Sequence, residues 1–340
     1  MTTPSQHPQP TPERIFQAAN AYQLTHALKA AVELDLFTAI GEGTDTPAAL
    51  ARHCGVAERG ARILCDFLVV HEFLTKNGGR YSLTPDSAAF LDRRSPMCIG
   101  PCMNFLTSPM FMDGFRDLAS VVRKGGTTMG ADGTLAPEHP VWVEFARSMA
   151  PLQAMPAESI ARLLNADSGS KWKVLDIAAG HGLFGITLAK HNPNAEIHAV
   201  DWPNVLAVAK ENAQKAGVSP RHHAIPGDAF AVDFGKDFDL ILVTNFLHHC
   251  DPSAIEKFMR KVHAALKPGG RAVTLEFIPN EDRISPPMPA AFSMIMLGST
   301  PAGDAYTFAE FDRMFRNAGF ASNELHALPP LPASVIISTK

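Results

Sequence analysis

The chain has 340 residues, 46% of them hydrophobic, which is enough for large buried cores and for more than one domain. Its net charge of −4 and isoelectric point near 6.4 argue against nucleic acid as partner or substrate, because a polyanion requires a basic surface. Residues 1–12 lack a signal-peptide pattern and no apolar run approaches the roughly 20 residues of a membrane span, so we expect a cytoplasmic protein without a membrane partner.

Residues 13–95 are predicted to form a mainly helical domain. Three helices are expected: residues 18–37 with a stop at Gly41, a segment that begins with Thr46-Pro47, and residues 58–73. Residues 74–84 then predict a hairpin with an Asn-Gly turn, which completes a winged-helix pattern.

A winged helix can bind DNA, and in that case the helix that enters the DNA groove should carry basic residues. Here this helix is mostly apolar, with only Arg59 and Arg62 as basic residues. We therefore favour a domain that dimerises and closes over a substrate.

Residues 96–165 are predicted to be a helical connector rich in Met and Phe. Such a stripe at helical spacing is more often core than ligand contact, but a flexible apolar lining also suits an aromatic substrate. In that case Phe105, Phe145 and Met149 would contact the substrate. Residues 140–164 are expected to form one long helix.

Residues 174–190 carry the most informative pattern of the chain. An apolar run ends at Ile177 and a helical pattern begins at Leu183, which predicts a strand, a tight turn and a helix. Gly180 and Gly182 lack a Cβ, so the backbone between them can lie against a ligand, while the new helix offers free N–H groups to an anion.

The spacing of the small residues distinguishes two kinds of nucleotide site. A dinucleotide fingerprint needs G-x-G-x-x-G, which is lacking here, although Gly185 follows Gly182 by three positions. The other pattern is an acidic residue followed by alternating small residues, here Asp176, Ala178, Gly180 and Gly182. A purely structural turn would also explain two glycines.

Four further strand patterns begin near residues 195, 222, 237 and 269, with helical patterns between them. They predict an α/β, doubly wound sheet whose ligands lie at the carboxyl ends of the strands. Asp201 ends the second strand, where a carboxylate can accept both ribose hydroxyls of a nucleoside or simply cap the next helix.

The chain beyond the fifth strand completes the predicted catalytic domain, residues 166–340. Residues 285–304 are too long for a simple turn, and we expect them to form a lid and substrate wall, with Phe292 and Met296 as contacts. An amphipathic helix over 308–318 and strands near 322–327 and 334–339 would bring the sheet to seven strands.

Together these motifs resemble the dimeric small-molecule O-methyltransferases that depend on S-adenosylmethionine (SAM), a class I methyltransferase group that includes plant caffeate and bacterial polyketide enzymes. The motifs that carry the resemblance are residues 81–85, Phe145 with Met149, 178–182, 201–203, 227–230, 247–248, 267–270, Glu276 and 318–320. The resemblance implies a Rossmann-like sheet, a winged-helix dimerisation domain, a homodimer, a small-molecule acceptor, and SAM as cofactor with S-adenosylhomocysteine as product.

The resemblance also implies the cofactor site. Its residues match Asp176, Gly180, Gly182, Asp201, Trp202, Asp228, Ala229, Phe230 and Asn245. In the family an acid at the position of Asp228 commonly accepts from the adenine amino group, and the apolar side chain that follows packs on the ring.

Methyl transfer to a hydroxyl needs a base, because a phenol with a pKa of about 10 is a poor nucleophile at neutral pH. His248 matches the base of the family and Glu276 the residue that orients it, while His249 stands where the family usually has Asp. The loop after the fourth strand is one residue shorter than in the family, so the alignment of the two histidines with the family is ambiguous and both are candidates for the base. The second acid of the family has no match at Ala305, although Asp304 is adjacent.

Two other functions stay open at this point. The first is methylation of an activated carbon atom, which enzymes of the same fold also perform, in some relatives with a metal in a His-rich site. Adjacent histidines such as His248 and His249 rarely chelate one ion, and no third ligand is evident in the sequence. We therefore predict no metal. The other is a non-catalytic SAM-binding or winged-helix regulatory protein. The five cysteines contain no C-x-x-C pair, which favours buried thiols over disulfides or zinc.

Overall fold

The computed structural model describes residues 10–130, 133, 136 and 138–340, so most of the polar N-terminal tail lies outside the described residues. Its contacts divide the chain into two units, the first ending at Met103 and the second beginning at Asn104. Helix α6 (Cys102–Leu106) spans this division.

The first unit has the predicted helices and hairpin. Its elements are α1 (Glu13–Glu33), α2 (Leu36–Gly41), α3 (Pro47–Cys54), α4 (Glu58–Val70), β1 (Leu74–Asn77), β2 (Arg80–Leu83) and α5 (Pro85–Phe90). The hydroxyl of Thr46 accepts from the N–H of Ala49 at 3.3 Å, so the predicted Thr-Pro start of α3 is confirmed.

Two local predictions in this unit are wrong. The first helix breaks before Leu36, because Asp35 adopts a left-handed φ of 53°, and the break turns Leu36 and Phe37 into the core, where each is 1% exposed. The hairpin turn is Gly78-Gly79 rather than Asn77-Gly78: Asn77 pairs with Arg80, and both glycines have positive φ, as a two-residue hairpin loop requires.

The second unit is a sheet with surrounding helices. Its helices are α7 (Pro109–Gly114), α8 (Leu118–Lys124), α9 (Val141–Ser148), α10 (Ala150–Leu163), α11 (Leu183–His191), α12 (Pro203–Lys215), α13 (Pro252–Ala265), α14 (Pro287–Ser299) and α15 (Phe308–Ala318). Its strands are β3 (Trp172–Ile177), β4 (Ala195–Asp201), β5 (His222–Pro226), β6 (Phe238–Thr244), β7 (Leu266–Glu276), β8 (Ser322–Ala327) and β9 (Ser334–Thr339).

The seven strands lie in the order β5-β4-β3-β6-β7-β9-β8, which confirms the predicted seven-stranded Rossmann-like sheet. The first five in this order are parallel, and β9 is antiparallel to both of its neighbours. The direction of β3, β4, β6 and β7 brings their carboxyl ends to one edge of the sheet. The strand order reverses between β3 and β6, and sheets of this kind bind their ligands at that point of the edge.

The central strands are buried on both faces. Leu240, Ile241, Leu242 and Val243 of β6 are all at most 1% exposed, as expected for a parallel strand covered by helices on each side. The predicted long helix over 140–164 is instead two helices, because α9 ends at Ser148 and α10 begins with Ala150-Pro151, whose proline lacks the N–H that a continuous helix would use.

Within the described residues, no helix is both long and apolar enough to cross a bilayer. All five cysteines are free thiols. The described His, Cys, Asp and Glu side chains form no group of three or more that could hold a metal ion.

His191 makes the stability of the second unit depend on pH. Its Nε2 lies 2.8 Å from Glu158 Oε2 of α10 and its Nδ1 lies 3.0 Å from Asp167 Oδ1. The hydrogen bond to Glu158 is the largest cause, followed by that to Asp167, of a pKa raised above the ordinary value of 6.5. This stabilisation is therefore complete below the unfolded-state pKa and is lost as the pH rises through the higher folded-state pKa.

We expect the melting temperature of the unmodified protein to fall more between about pH 6 and about pH 9 than that of a His191→Gln variant. The difference corresponds to less than about 1 kcal/mol, since the ion pairs are partly exposed to solvent. Calorimetric scans at the two pH values measure it. Parallel pH profiles for the two proteins would contradict the assignment.

Candidate active site

The turn between β3 and α11 has the backbone of a ligand-binding loop. Ala178, Gly180 and Gly182 have φ values of 52°, 57° and 73°. A left-handed conformation costs a residue with a Cβ about 1–2 kcal/mol, a cost that Ala178 bears and that the two glycines avoid. The alternating positive φ values fold the turn back on itself: the N–H of Gly182 donates to the carbonyl of Ala179 at 2.7 Å, and the N–H of Gly180 donates to Asp201 at the carboxyl edge of the sheet.

Asp201, the last residue of β4, supports this turn. Its Oδ2 accepts from the N–H of Gly180 at 2.8 Å and its Oδ1 accepts from the N–H of Trp202 at 2.7 Å. Burial raises the pKa of Asp201 to about 6, while the two backbone hydrogen bonds favour the ionised form. The carboxylate therefore stands beside the glycine turn, as the sequence predicted.

Asp176 holds the turn from behind. Its Oδ2 accepts from the N–H of Gly185 at 3.0 Å, whereas Oδ1 has no partner among the described residues. The side chain is fully buried, and burial raises its pKa to about 7. A Cβ on Gly185 would lie 2.5 Å from Ile197 Cγ2 and 2.9 Å from Asp176 Oδ2, so the close packing of α11 on the sheet requires glycine there.

The predicted adenine side of the site follows β5. Asp228 Oδ1 accepts from the N–H of Phe230 at 2.8 Å, which leaves Oδ2 for another donor. Phe230 is 39% exposed and packs against Phe246 and Phe258, with ring centroids 5.6 and 5.1 Å away. A half-exposed aromatic ring on an aromatic cluster is suited to stack against a planar ligand. Ala229 packs against the same core.

Two further predicted cofactor residues lie nearby. Trp202 packs on the cluster of α9 and α12 formed by Ala146 and Val205. Asn245 follows β6 with a positive φ of 52°, and its Nδ2 donates to Gln153 Oε1 at 3.2 Å. Gln153 was not among the predicted residues, although its position four residues after Met149 places both on one helical face.

His248 and Glu276 form a buried pair at the ends of β6 and β7. His248 Nδ1 lies 2.5 Å from Glu276 Oε2, and the side chains are 7% and 1% exposed. Glu276 Oε1 also accepts from the N–H groups of Phe246 at 3.0 Å and Leu247 at 2.8 Å. An ionised Glu276 satisfies all three donors, so the proton of a neutral His248 resides on Nδ1 and its Nε2 carries the lone pair.

His249 has a different environment. Its ring packs edge-on against Trp142 at 5.3 Å and lies 4.3 Å from the ring of His248. Burial is the main cause, and the neighbouring His248 the second, of a pKa well below 6.5. His249 is therefore a neutral ring in an aromatic contact, and Glu276 pairs with His248 instead.

Aromatic side chains connect the glycine turn to the histidine pair. Phe145 lies over Gly180, whose Cβ would be 3.3 Å from Phe145 Cε1, and packs against Phe105 at 5.1 Å and Trp142 at 6.0 Å. On the other side of the pair, Phe292 of α14 meets the ring of His248 at 4.9 Å and 83°. The structure thus packs Phe105 and Phe145 together beside the glycine turn and places Phe292 against the proposed base. The other two predicted substrate residues, Met149 and Met296, are buried at 8% and 2% exposure.

His181 is a residue of the turn that was not among the predicted site residues. Its Nδ1 accepts from the N–H of Leu183 at 3.0 Å, and its ring stacks on Phe145 with centroids 5.8 Å apart. Burial lowers its pKa to about 4, so it is neutral, and its buried Nε2 has no partner among the described residues. The sequence feature that could have indicated a role for His181 is its position between Gly180 and Gly182.

Comparisons with known proteins agree with this arrangement. Residues 16–93 match the family model for the O-methyltransferase dimerisation domain, and residues 174–270 match the model for a methyltransferase domain. A protein from Nostoc punctiforme PCC 73102, proposed to be an O-methyltransferase, has a crystal structure that is 53% identical in sequence and superposes with a TM-score of 0.94, covering 98% of this chain and 100% of its own.

Two curated relatives from Streptomyces cover most of both chains. The 3-hydroxy-5-methyl-1-naphthoate 3-O-methyltransferase of S. sahachiroi is 28% identical over 91% of this chain and 89% of its own. The L-tyrosine C(3)-methyltransferase of S. lavendulae is 25% identical over 96% of this chain and 91% of its own. With the glycine turn, the carboxyl-edge acids and the seven-stranded sheet in place, the chain belongs to the family of SAM-dependent O-methyltransferases that act on small molecules.

Proposed function

We propose that this protein transfers a methyl group from SAM to a hydroxyl of a small aromatic or apolar molecule, with His248 as the general base. One observation carries the proposal: the buried His248–Glu276 pair lies at the carboxyl ends of the strands with the aromatic ring of Phe292 packed on His248. A base next to an apolar surface suits an aromatic acceptor whose hydroxyl must lose a proton.

The residues at the carboxyl edge fit SAM. The positive-φ turn at 178–182 would hold its methionine part, Asp201 its ribose, and Asp228 with Ala229 and Phe230 its adenine, while Asn245 and Trp202 complete the site. Asp176 would act from behind the turn, since its side chain is fully buried. When bound, SAM supplies a methyl group on a positively charged sulfur, which is already a good electrophile.

His248 would then remove the proton of the acceptor through Nε2. The ring becomes a cation as it takes that proton, and Glu276 stabilises the cation through Nδ1–H. Because Glu276 is itself held by two backbone N–H groups, it keeps the ring oriented toward the acceptor without taking the proton. His249 is the weaker candidate, since burial keeps it neutral and Trp142 packs on its ring.

Phe105, Phe145, Met149, Phe292 and Met296 would contact the acceptor. The naphthoate relative acts on an aromatic ring that carries a hydroxyl, which is consistent with an acceptor of that class. We further propose that residues 13–95 dimerise the protein, that residues 96–165 supply part of the acceptor wall, and that residues 166–340 form the catalytic domain. The match of residues 16–93 to a dimerisation domain supports a homodimer.

Methylation of a carbon atom is the second candidate, and a specific observation favours it. The relative from S. lavendulae is a C-methyltransferase that matches nearly the whole chain. A buried His–Glu pair could equally deprotonate a phenol whose ring carbon then takes the methyl group and releases its own hydrogen as a proton, which restores the aromatic ring. The position of the methyl group in the product distinguishes the two reactions.

The test is methyl transfer from SAM carrying a ¹³C-labelled methyl group to a panel of phenols, naphthols and hydroxynaphthoates. Calorimetry with SAM and S-adenosylhomocysteine comes first. We expect both to bind and at least one acceptor to give an O-methyl ether, identified by its carbon chemical shift. A C-methyl product would favour the second candidate. Absence of cofactor binding would refute both.

A further inference from the structure

The turn that follows α14, residues 300–303, lies directly against the main chain of the proposed base. A Cβ on Gly303 would lie 2.2 Å from the carbonyl oxygen of His248 and 2.9 Å from the carbonyl carbon of His249. Real Cβ atoms essentially never approach a heavy atom within 3.0 Å. The φ of Gly303 is outside the left-handed region, so it is this close approach, and not the backbone dihedral, that requires glycine.

The buried side chain of Thr300 sets the shape of this turn. Its hydroxyl donates to the carbonyl of Met296 at 2.7 Å and accepts from the N–H of Gly303 at 2.8 Å. Thr300 is 0% exposed, so no water can replace these bonds without rearrangement. One hydroxyl therefore ties Gly303 to the last turn of α14.

The opposite side of the turn is held by main-chain contacts from another segment. The N–H of Thr127 donates to the carbonyl of Thr300 at 2.8 Å. A Cβ on Gly126 would lie 2.2 Å from the carbonyl oxygen of Pro301, and one on Gly114 would lie 2.8 Å from that of Gly298. The turn is thus enclosed between residues 114–127 and the His248 segment, and it cannot shift without moving one of them.

We propose that residues 300–303 are a positioning element for the general base, and that Gly303 is the positioning residue through which they act. This inference rests on the proposed function, in which His248 is the base. Glu276 orients the His248 ring through Nδ1 and holds the main chain before it through the N–H groups of Phe246 and Leu247, but none of these bonds reaches the carbonyl of His248. The contact with Gly303 supplies a restraint at that carbonyl.

The same helix touches the base at a second point. Phe292 of α14 meets the His248 ring edge-on, while the turn after α14 meets its carbonyl. A movement of α14, the proposed acceptor wall, would therefore displace ring and main chain together. This links the fit of the acceptor to the placement of the base.

The test starts with Gly303→Ala. The added methyl group must separate the two backbones by about 0.8 Å to reach even the shortest real contact, and a misplacement of about 1 Å lowers a catalysed rate by roughly 100-fold. SAM affinity should stay unchanged. The control is Gly60→Ala in α4, where no atom lies within 4 Å of the added Cβ and kcat should be retained.

A second pair of variants keeps the test decisive if Gly303→Ala does not fold. Thr300→Val keeps the size of the side chain but removes the hydroxyl that holds Gly303, and kcat should fall. Thr300→Ser keeps the hydroxyl and should restore most of the activity. Equal activity of the two Thr300 variants would overturn the proposal.

Two acceptors separate loss of positioning from general damage. A naphthol with a pKa of about 10 needs the base, whereas a nitrophenol that is already ionised at the assay pH does not. The deficits of Gly303→Ala and Thr300→Val should therefore be large with the naphthol and small with the nitrophenol. Equal deficits with both acceptors would overturn the inference.

A readout without turnover keeps this inference distinct from the proposed function. The His248 Nδ1–H bonded to Glu276 should give a strongly downfield proton resonance, identified by its loss in His248→Gln. Gly303→Ala should shift this resonance and Gly60→Ala should not. If the unmodified protein methylates no phenol, the proposed function fails, and an unshifted resonance in Gly303→Ala would separately overturn the positioning role.

Discussion

A His248→Gln variant is expected to lose roughly 10²- to 10⁴-fold in kcat while it binds SAM as tightly as the unmodified protein. Glutamine can still donate an amide N–H to Glu276, so the shape of the site survives, but it has no basic nitrogen for the proton of the acceptor. The measurement is single-turnover methyl transfer at saturating SAM, together with calorimetry for the cofactor.

The matched control is His249→Gln, which makes the same chemical change at the adjacent position. We expect a smaller loss, because burial keeps His249 neutral against Trp142, whereas the contact with Glu276 that would stabilise a protonated base is made by His248. The reverse order of effects would move the base to His249. Full turnover in both variants would exclude histidine as the base.

Asp201→Ala is expected to raise the Kd for SAM by about 10- to 150-fold, since hydrogen bonds to a charged group contribute about 1.5–3 kcal/mol. The carboxylate accepts from Gly180 and Trp202, and in the proposed complex it would also accept from the ribose hydroxyls. Its removal therefore loosens the turn as well as the ribose contact. Isothermal titration calorimetry with SAM and S-adenosylhomocysteine measures the loss.

Asp239→Ala is the control for Asp201→Ala. Asp239 also accepts a backbone N–H, from Lys173 at 2.8 Å, but it lies at the start of β6, away from the carboxyl edge. SAM binding should be unaffected there. An unchanged Kd in Asp201→Ala would remove the ribose assignment, while equal weakening in both variants would indicate a general loss of structure.

The pH dependence of binding adds a check on Asp201. Because burial raises its pKa to about 6, the carboxyl group takes up a proton as the pH falls through that value and loses acceptor capacity. SAM affinity of the unmodified protein should therefore decrease below about pH 6. The Asp201→Ala variant should lack this dependence.

The positions of the helix breaks and of the hairpin turn depend on tertiary contacts that a local sequence pattern does not contain. Residues 18–37 keep helical spacing throughout, yet Asp35 turns left-handed so that Leu36 and Phe37 enter the core. The hairpin turn lies one residue later than predicted, because Asn77 pairs with Arg80 across the strands. In both places burial and pairing outweighed a local preference.

The sequence by itself determined the seven strands of the second unit, the glycine turn and the acids at the strand ends. These features are readable because hydrophobic period, glycine and strand-end position are local properties of the chain. The parallel sheet then brings the ends of β3, β4, β6 and β7 to one edge by its topology, so residues far apart in sequence were correctly expected to lie together.

Only the tertiary structure decided how those residues are used. The sequence favoured His248 as the base but kept His249 as a candidate, and the structure separates them because Glu276 on the neighbouring strand pairs with the His248 ring while Trp142 packs on that of His249. Gly303 has no motif of its own, since its need for hydrogen in place of a side chain comes from a carbonyl 55 positions earlier in the chain. Pairing, burial and close approach are properties of chain segments that meet in space, and a linear pattern does not record them.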